Sequence, residues 1–336
     1  MNDSKPLACL SIDLDNQWSY MKTHGDAGWE KFPSYFESLI PRVLERLDAF
    51  KLKITFFIVG QDAALEKNRK ALAEITRNGH DVGNHSFLHE PWLSFSPAEK
   101  IRREVLDAER AILGATGQRP AGFRGPGFCW SADMMNILAE LDYLYDASTL
   151  PTCLGPVGRL YYFSKSGLSA EAKKQRRNLF GSFRDGRRPV KPYLWLLPSK
   201  KRLLEIPVTT VPGLKLPFHL SYLVYLSLYS PPLMAQYLDM AVRLCRLFGT
   251  GLSFLLHPLD FLGRDEAPEL AFFPGMKAEK DDKLKLFDRV IRKISGSFQI
   301  VDMRTYAKAS INRSRTLSLH RAYPKPPDAE FERGRP

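Results

Sequence analysis

The sequence predicts an α/β fold in which a mostly parallel sheet curls into a TIM-like (β/α) barrel, distorted or incomplete. Three observations predict it. Short apolar, β-branched runs alternate with longer amphipathic stretches, the signature of βα units. About eight such runs occur, and polar titratable residues recur where they end. Residues 7–14 read as the first strand; in 33–50, Tyr35, Leu39, Val43, Leu44 and Leu47 recur at helical spacing, and 53–59 (KITFFIV) read as the second strand. A helix over 67–78 stops at Gly79, and 80–84 form a short third strand. Ser96-Pro97-Ala98-Glu99 reads as a capping box with proline at the first helical position, opening a helix that runs to about residue 115. Strands at 121–124, 143–146, 203–209, 252–256 and 298–301 continue the pattern, with helices near 132–141, 232–248 and 280–294.

One folded domain is expected over 1–311, with a basic and apolar insertion at about 155–240 and a disordered tail over 312–336, where the chain turns polar and proline-rich. At 44% hydrophobic and 26% charged, the composition excludes disorder over most of the chain. The net charge of +12 is local: between Lys165 and Arg202 twelve Lys and Arg face only Glu171 and Asp185, an excess of ten. No zinc-finger, RRM or helix-turn-helix pattern accompanies this charge, so nucleic acid is not the expected partner. Aromatic residues interleave with it, which suits an anionic membrane surface or a phosphate, contacted by Lys173, Lys174, Arg176, Arg177, Arg184, Arg187 and Arg188. The alternative is a solvated face. The uncharged segment 216–238 is broken by prolines and serines, so it reads as an interfacial helix or a face packed on the barrel, not as a span. No apolar leader precedes the first strand and the four cysteines lack metal or disulfide spacing, so a cytoplasmic, non-secreted protein is expected.

In a parallel barrel the loops after the strands converge on one face. Asp13 and Asp15 end the first strand, His85 and His89 the third, Arg124 the fourth, Asp146 the fifth, and His257 the strand over 252–256. Two histidines four apart and one carboxylate form a ligand set with open positions for water and substrate, most simply for Zn²⁺. The second aspartate, read as facing the other side of the strand, is left free to act as a base. Asp146 alternatively caps a turn, and Arg124 alternatively makes a surface ion pair; lone histidines such as His80 and His219 read as structural.

Asp13-x-Asp15, His85-xxx-His89, Phe123-Arg124-Gly125-Pro126-Gly127-Phe128 and Leu255-Leu256-His257, in this order, resemble the polysaccharide deacetylase family, the NodB-homology or carbohydrate esterase family 4 domain, over roughly residues 7–310. The spaced aspartates are similar to a subgroup with peptidoglycan deacetylase-like and allantoinase-like members. The resemblance implies a NodB-type barrel of the glycoside hydrolase/deacetylase superfamily and a metal-dependent hydrolase that removes an N-acetyl or N-formyl group from an amino sugar. It implies that Asp15, His85 and His89 hold the metal and that Asp13, paired with Arg124, takes the proton of the attacking water. A backbone N–H in the Gly127–Phe128 turn would stabilise the oxyanion, and His257, oriented by Asp146, would protonate the departing amine. Trp18, Phe128 and Trp130 would wall the substrate pocket, with plain packing as the alternative. Tyr145-Asp146-Ala147-Ser148 and Ile206-Pro207-Val208-Thr209 are similar to deformylases of polyprenyl-phosphate-linked sugars, which with the local basic charge implies a polysaccharide precursor or a polyprenyl-phosphate-linked saccharide as substrate at the cytoplasmic membrane face. The alternatives are a soluble oligosaccharide or peptidoglycan deacetylase, an allantoinase-like amidohydrolase, or a catalytically silent membrane- or sugar-binding module.

Overall fold

The computed structural model describes residues 5–165, 168–177, 179 and 181–319. Among them the strands are β1 (Leu7–Leu14), β2 (Thr55–Ile58), β3 (Asp81–Asn84), β4 (Gly122–Phe123), β5 (Tyr145–Asp146), β6 (Tyr193–Leu196), β7 (Arg202–Glu205), β8 (Leu252–Leu256), β9 (Gln299–Val301) and β10 (Arg315–Ser318). They form one sheet in the order β10-β6-β7-β5-β4-β3-β2-β1-β8, with β9 also on β1. The ladders are parallel except β6 with β7.

Closure comes from a seam beyond β7. Ile206 N–H donates to Asp146 O at 2.8 Å, and three residues later Thr209 reaches β8. Its N–H and Oγ1 each donate to Ser253 O at 3.0 Å, and Ser253 N–H returns a bond to Thr209 Oγ1 at 2.7 Å. A side chain thus replaces part of a ladder, which is why the expected strand over 203–209 is regular only to Glu205 and why the barrel is distorted.

Alternation along β1 sorts the core. Leu10, Ile12 and Leu14 face outward into a cluster with the helices Phe36–Ala49, Pro231–Leu247 and Lys280–Ser297. Cys9 faces inward with Phe57 and Tyr145, above Met303 and Tyr306 of the helix Met303–Ser310. The inward file continues through Ser11 to Asp13, so the apolar filling of the barrel gives way to carboxylates at the C-terminal end of β1.

Several expectations change. The insertion over 155–240 is interrupted by a barrel strand, β7. β6 was hidden inside the basic run, and β10 forms where a disordered tail was expected: Arg315–Ser318 pair in parallel with β6. Residues 320–336 of that tail lie outside the described residues. The capping box at Ser96 does not form; Pro97 is itself the N-cap of Ala98–Thr116 and makes no side-chain cap bond. The segment 216–238 is the helix Leu220–Tyr229 followed by Pro231–Leu247, with Leu220, Leu223 and Val224 buried on the barrel. Among the described residues no helix is long and apolar enough to cross a membrane. All four cysteines are free; Cys9, Cys129 and Cys245 are buried, and Cys153 is exposed.

Candidate functional site

Asp13 and Asp15 stand at the end of β1, His85 and His89 after β3, Arg124 after β4 and His257 after β8. The sequence reading put the two carboxylates on opposite sides of the strand. That is corrected: residues two apart share a face, and both line one cavity. Their partners, not their faces, divide their labour.

Asp15 Oδ1 lies 3.2 Å from His85 Nε2 and 2.9 Å from His89 Nε2, and donor atoms of the three residues fall within 4.8 Å of one another. His85 Nδ1 sits 2.6 Å from Arg124 O, so the proton belongs on Nδ1 and Nε2 presents a lone pair toward Asp15. Asp15 Oδ1 and both ring nitrogens of His89 are buried without a hydrogen bond of good geometry. Orphaned nitrogen and oxygen donors converging this closely fit a divalent cation, and two imidazoles with one carboxylate suit Zn²⁺. Burial alone would raise the Asp15 carboxyl, but the imidazoles against it, His89 foremost, hold it well below the usual carboxylate range when they carry a second proton.

The loop carrying the histidines is strained: Ser86 and His89 have φ of 62° and 48°, in the left-handed region. Its neighbours fix it there. Phe87 and Leu88 N–H both donate to Glu104 Oε2 at 2.9 Å, Ser86 N–H donates to Asn84 Oδ1 at 2.9 Å, and Ser86 O accepts from Gly60 N–H at 2.9 Å.

Arg124 is fully buried, which removes the surface ion pair. It runs inside the barrel, donating from Nη1 to Asp13 Oδ1 at 2.5 Å and Ser11 Oγ at 2.9 Å, from Nε to Ala147 O at 3.0 Å, and lying 4.3 Å over the Phe57 ring. Asp13 is thus held by a buried guanidinium while it faces the cavity. The turn that follows requires glycine: a Cβ on Gly125 would meet Cys129 O at 2.0 Å, and Gly127 has φ of 58°. Phe128 N–H is already spent on Gly125 O at 3.0 Å within that turn.

The structure corrects the role expected of Asp146. Its carboxylate accepts from Ser148 Oγ at 2.6 Å and Ser148 N–H at 3.1 Å, and Ser148 Oγ accepts from Gly125 N–H at 2.8 Å. Asp146 therefore braces the Gly125 turn, close to its alternative reading as a turn cap, and does not reach His257. Beside it, burial and the Asp146 charge raise Glu205 well above the usual range, so this carboxyl pair keeps a proton.

His257 has other partners. Ser221 Oγ lies 3.0 Å from its Nδ1, Ser221 also hydrogen-bonds Asp260, and Asp260 Oδ2 accepts from His257 N–H at 2.8 Å. Carboxylate oxygen only accepts, so the single Ser221 proton goes to Asp260 and Nδ1–H of His257 donates to Ser221. His219, read as structural, lies in the same cavity with its ring 6.1 Å from that of His257; burial, then the His257 charge, pushes it down to about 3, so it is neutral. Sequence reasoning missed Ser221 and Asp260. His257-Pro258-Leu259-Asp260, a capping-box spacing at a strand exit, was the signal for the second; for Ser221, brought in by a helix after β7, there was none.

These groups line a cavity of about 620 Å³ with Gly127, Phe128 and Leu259. Two expected wall residues are elsewhere. Trp18 is buried with its Nε1 donating to Asp62 Oδ1 at 2.9 Å, and Trp130 stacks on Trp195 with ring centroids 6.2 Å apart, under the Arg188 guanidinium at 3.9 Å. Two expected surface contacts are also structural. Arg176 is buried, donates to Thr23 O at 3.0 Å and lies 4.5 Å over Trp92, and Arg188 is buried with Nε 2.6 Å from Asp185 Oδ1. Lys174, Arg177, Arg184 and Arg187 are exposed and Lys173 half-buried.

The family model described as polysaccharide deacetylase matches residues 25–145. The chitooligosaccharide deacetylase of Bradyrhizobium sp. (strain ANU 289) is 36% identical over 103 residues, 30% of this chain and 45% of that protein, so the match spans less than half of the curated relative. A Mycobacterium smegmatis protein described as a polysaccharide deacetylase superposes with a TM-score of 0.61 at 19% identity, covering 94% of this chain and 95% of that one. Puue Allantoinase superposes with a TM-score of 0.56 at 16% identity, covering 93% and 92%. Likeness at these identities carries the fold: a distorted, NodB-type (β/α) barrel. Over residues 25–145 the sequence itself is similar to the polysaccharide deacetylase family.

Proposed function

We propose that the chain is a metal-dependent hydrolase that removes an N-acyl group, acetyl or formyl, from an amino sugar. The observation that carries this reading is one cavity holding a three-donor cluster (Asp15, His85, His89), an arginine-paired carboxylate (Asp13) and an anchored imidazole (His257). A divalent ion, Zn²⁺ by its donor set, would be held by Asp15, His85 and His89 and would supply a Lewis acid that polarises the amide carbonyl and acidifies water. Asp13, paired with Arg124, accepts the proton of the attacking water. Protonated His257 keeps Nδ1–H on Ser221 and delivers its Nε2 proton to the departing amine. The saccharide is carried on a lipid phosphate at the cytoplasmic face of a membrane, whose anionic surface meets Lys173, Lys174, Arg177, Arg184 and Arg187.

The test is turnover of N-acetylated and N-formylated amino sugars by the purified chain, with bound metal measured in parallel. Chelation should abolish amine release and Zn²⁺ should restore it. Protein that binds no metal and gains nothing from Zn²⁺ overturns the reading.

A further inference from the structure

The cavity has two chemistries, and the catalytic cluster accounts for only one. Apart from Asp13, Asp15 and Asp260, its lining contains no Asp, Glu, Lys, Arg, Asn or Gln among the described residues. Sugar hydroxyls are ordinarily met by such carboxylates and amides, because each buried hydroxyl left without a partner costs free energy. Here the wall away from the cluster is built from Leu150, Leu154, Val157, Leu179, Tyr225 and Phe272. An acetyl or formyl group fills a small part of about 620 Å³, a volume in the range that encloses a drug-sized ligand.

The apolar wall also continues to the outside. Leu154 is 37% exposed and Val157 59%, and both line the cavity; Leu160, on the same helix Gly155–Lys165, is 73% exposed. Tyr225 also lines the wall and meets edge-on the ring of Tyr229, which is 72% exposed, on the uncharged helix Leu220–Tyr229. An apolar surface that runs from catalytic groups to solvent fits a chain that is itself continuous from the reacting head to an apolar phase.

We infer that the outer part of this cavity binds a hydrocarbon chain covalently continuous with the N-acylated amino sugar. This rests on the reading of the cavity as the deacylase site and names the substrate as an amphiphile. Two sources share that chemistry: a lipid carrier attached to the sugar, and a long N-acyl chain.

Binding of hexyl, heptyl and octyl β-glucosides to the full chain, by calorimetry below their micelle-forming concentrations, tests the chamber with compounds that contain no amide. Affinity should tighten roughly threefold to fourfold per added methylene. Val157→Glu and Leu154→Asp, at exposed positions that the fold tolerates, should flatten the series while metal content and thermal unfolding stay as in the wild type. No dependence on chain length in the wild type, or an unchanged slope in both variants, overturns the inference. Two substrates then separate the sources. Release of acetate from a decyl phosphate ester of N-acetylglucosamine assigns the chain to a carrier, and release of decanoate from N-decanoylglucosamine assigns it to the acyl group. Turnover of short N-acetylglucosamine oligomers with neither long-chain compound accepted sinks the chamber and leaves the deacylase. A clear methylene slope with no amide hydrolysed sinks the deacylase alone.

Discussion

The floor and the roof of the cavity are built by different rules. The floor is made at the exits of parallel strands, where β1, β3, β4 and β8 deliver charged groups whose positions follow from the barrel. Each is held by partners: Arg124 on Asp13, Arg124 O on His85, Glu104 under the histidine loop. The roof comes from helices inserted around β6 and β7, Gly155–Lys165 and Leu220–Tyr229, and offers mostly aliphatic and aromatic surface. The contrast teaches that reaction type and substrate choice are encoded separately, the first in fixed electrostatics and the second in apolar shape that can vary without disturbing the first.

Substitutions should sort along that division. The largest effect is expected on the floor: Asp13→Asn should lower turnover by about 10²–10⁴-fold, the usual worth of a general base, with metal content near that of the wild type. Loss of metal instead would mean that the two aspartates have exchanged roles. Outside the roof, replacing Lys173, Lys174, Arg177, Arg184 and Arg187 by Gln should weaken binding to anionic vesicles by up to about 5 × 10³-fold at low salt, at about 1 kcal/mol per charge, and leave turnover of a soluble substrate unchanged. Unchanged partitioning would remove the membrane from the account. Arg176 and Arg188 are excluded from that set because their loss would disturb packing.

Beneath the floor, Asp62 is buried and accepts from Asn16, Trp18 and Asn68, and burial pushes it up to about 7. Its pKa is higher folded than unfolded, so its contribution is intact below about pH 4 and declines as pH rises toward 7. Asp62→Asn should therefore gain stability relative to the wild type between pH 5 and 8, on the order of 2–3 kcal/mol in denaturant titrations. A pH-independent difference would refute the buried proton. The smallest effect joins the two regions. Ser221→Ala should lower kcat about tenfold, with KM little changed and the limb of the pH profile that reports His257 displaced, as for loss of one hydrogen bond to a charged group. An unaltered pH profile would leave Ser221 with no part in positioning His257.

The floor was legible in the sequence because its residues sit at strand ends, and strand ends follow from hydrophobic periodicity. Asp13, Asp15, His85, His89, Arg124 and His257 were all found that way, and the cavity unites all but Arg124, which reaches it through Asp13. Asp146 stands at a strand end too, yet two close hydrogen bonds from Ser148 turn it away, and periodicity says nothing about such local competition. Trp18 and Trp130 were misplaced for a related reason: aromatic identity near a strand end does not say which way the ring points. Ser221 belongs to a helix brought in by a crossover, so only tertiary packing carries it to His257. β6 was missed because its four apolar residues lie within the basic run, and β10 because polarity masks the strand pattern at the sheet edge.

The exposed Cys153 lies between Thr152 and Leu154, both of which line the cavity. Burial pushes the thiols of Cys9, Cys129 and Cys245 up to about 12, which leaves them inert at neutral pH. The chain therefore carries its own attachment point for a fluorophore, next in sequence to two residues of the cavity wall. A maleimide dye placed there turns arrival of an amphiphile into an optical signal, read on the natural sequence with no engineered cysteine.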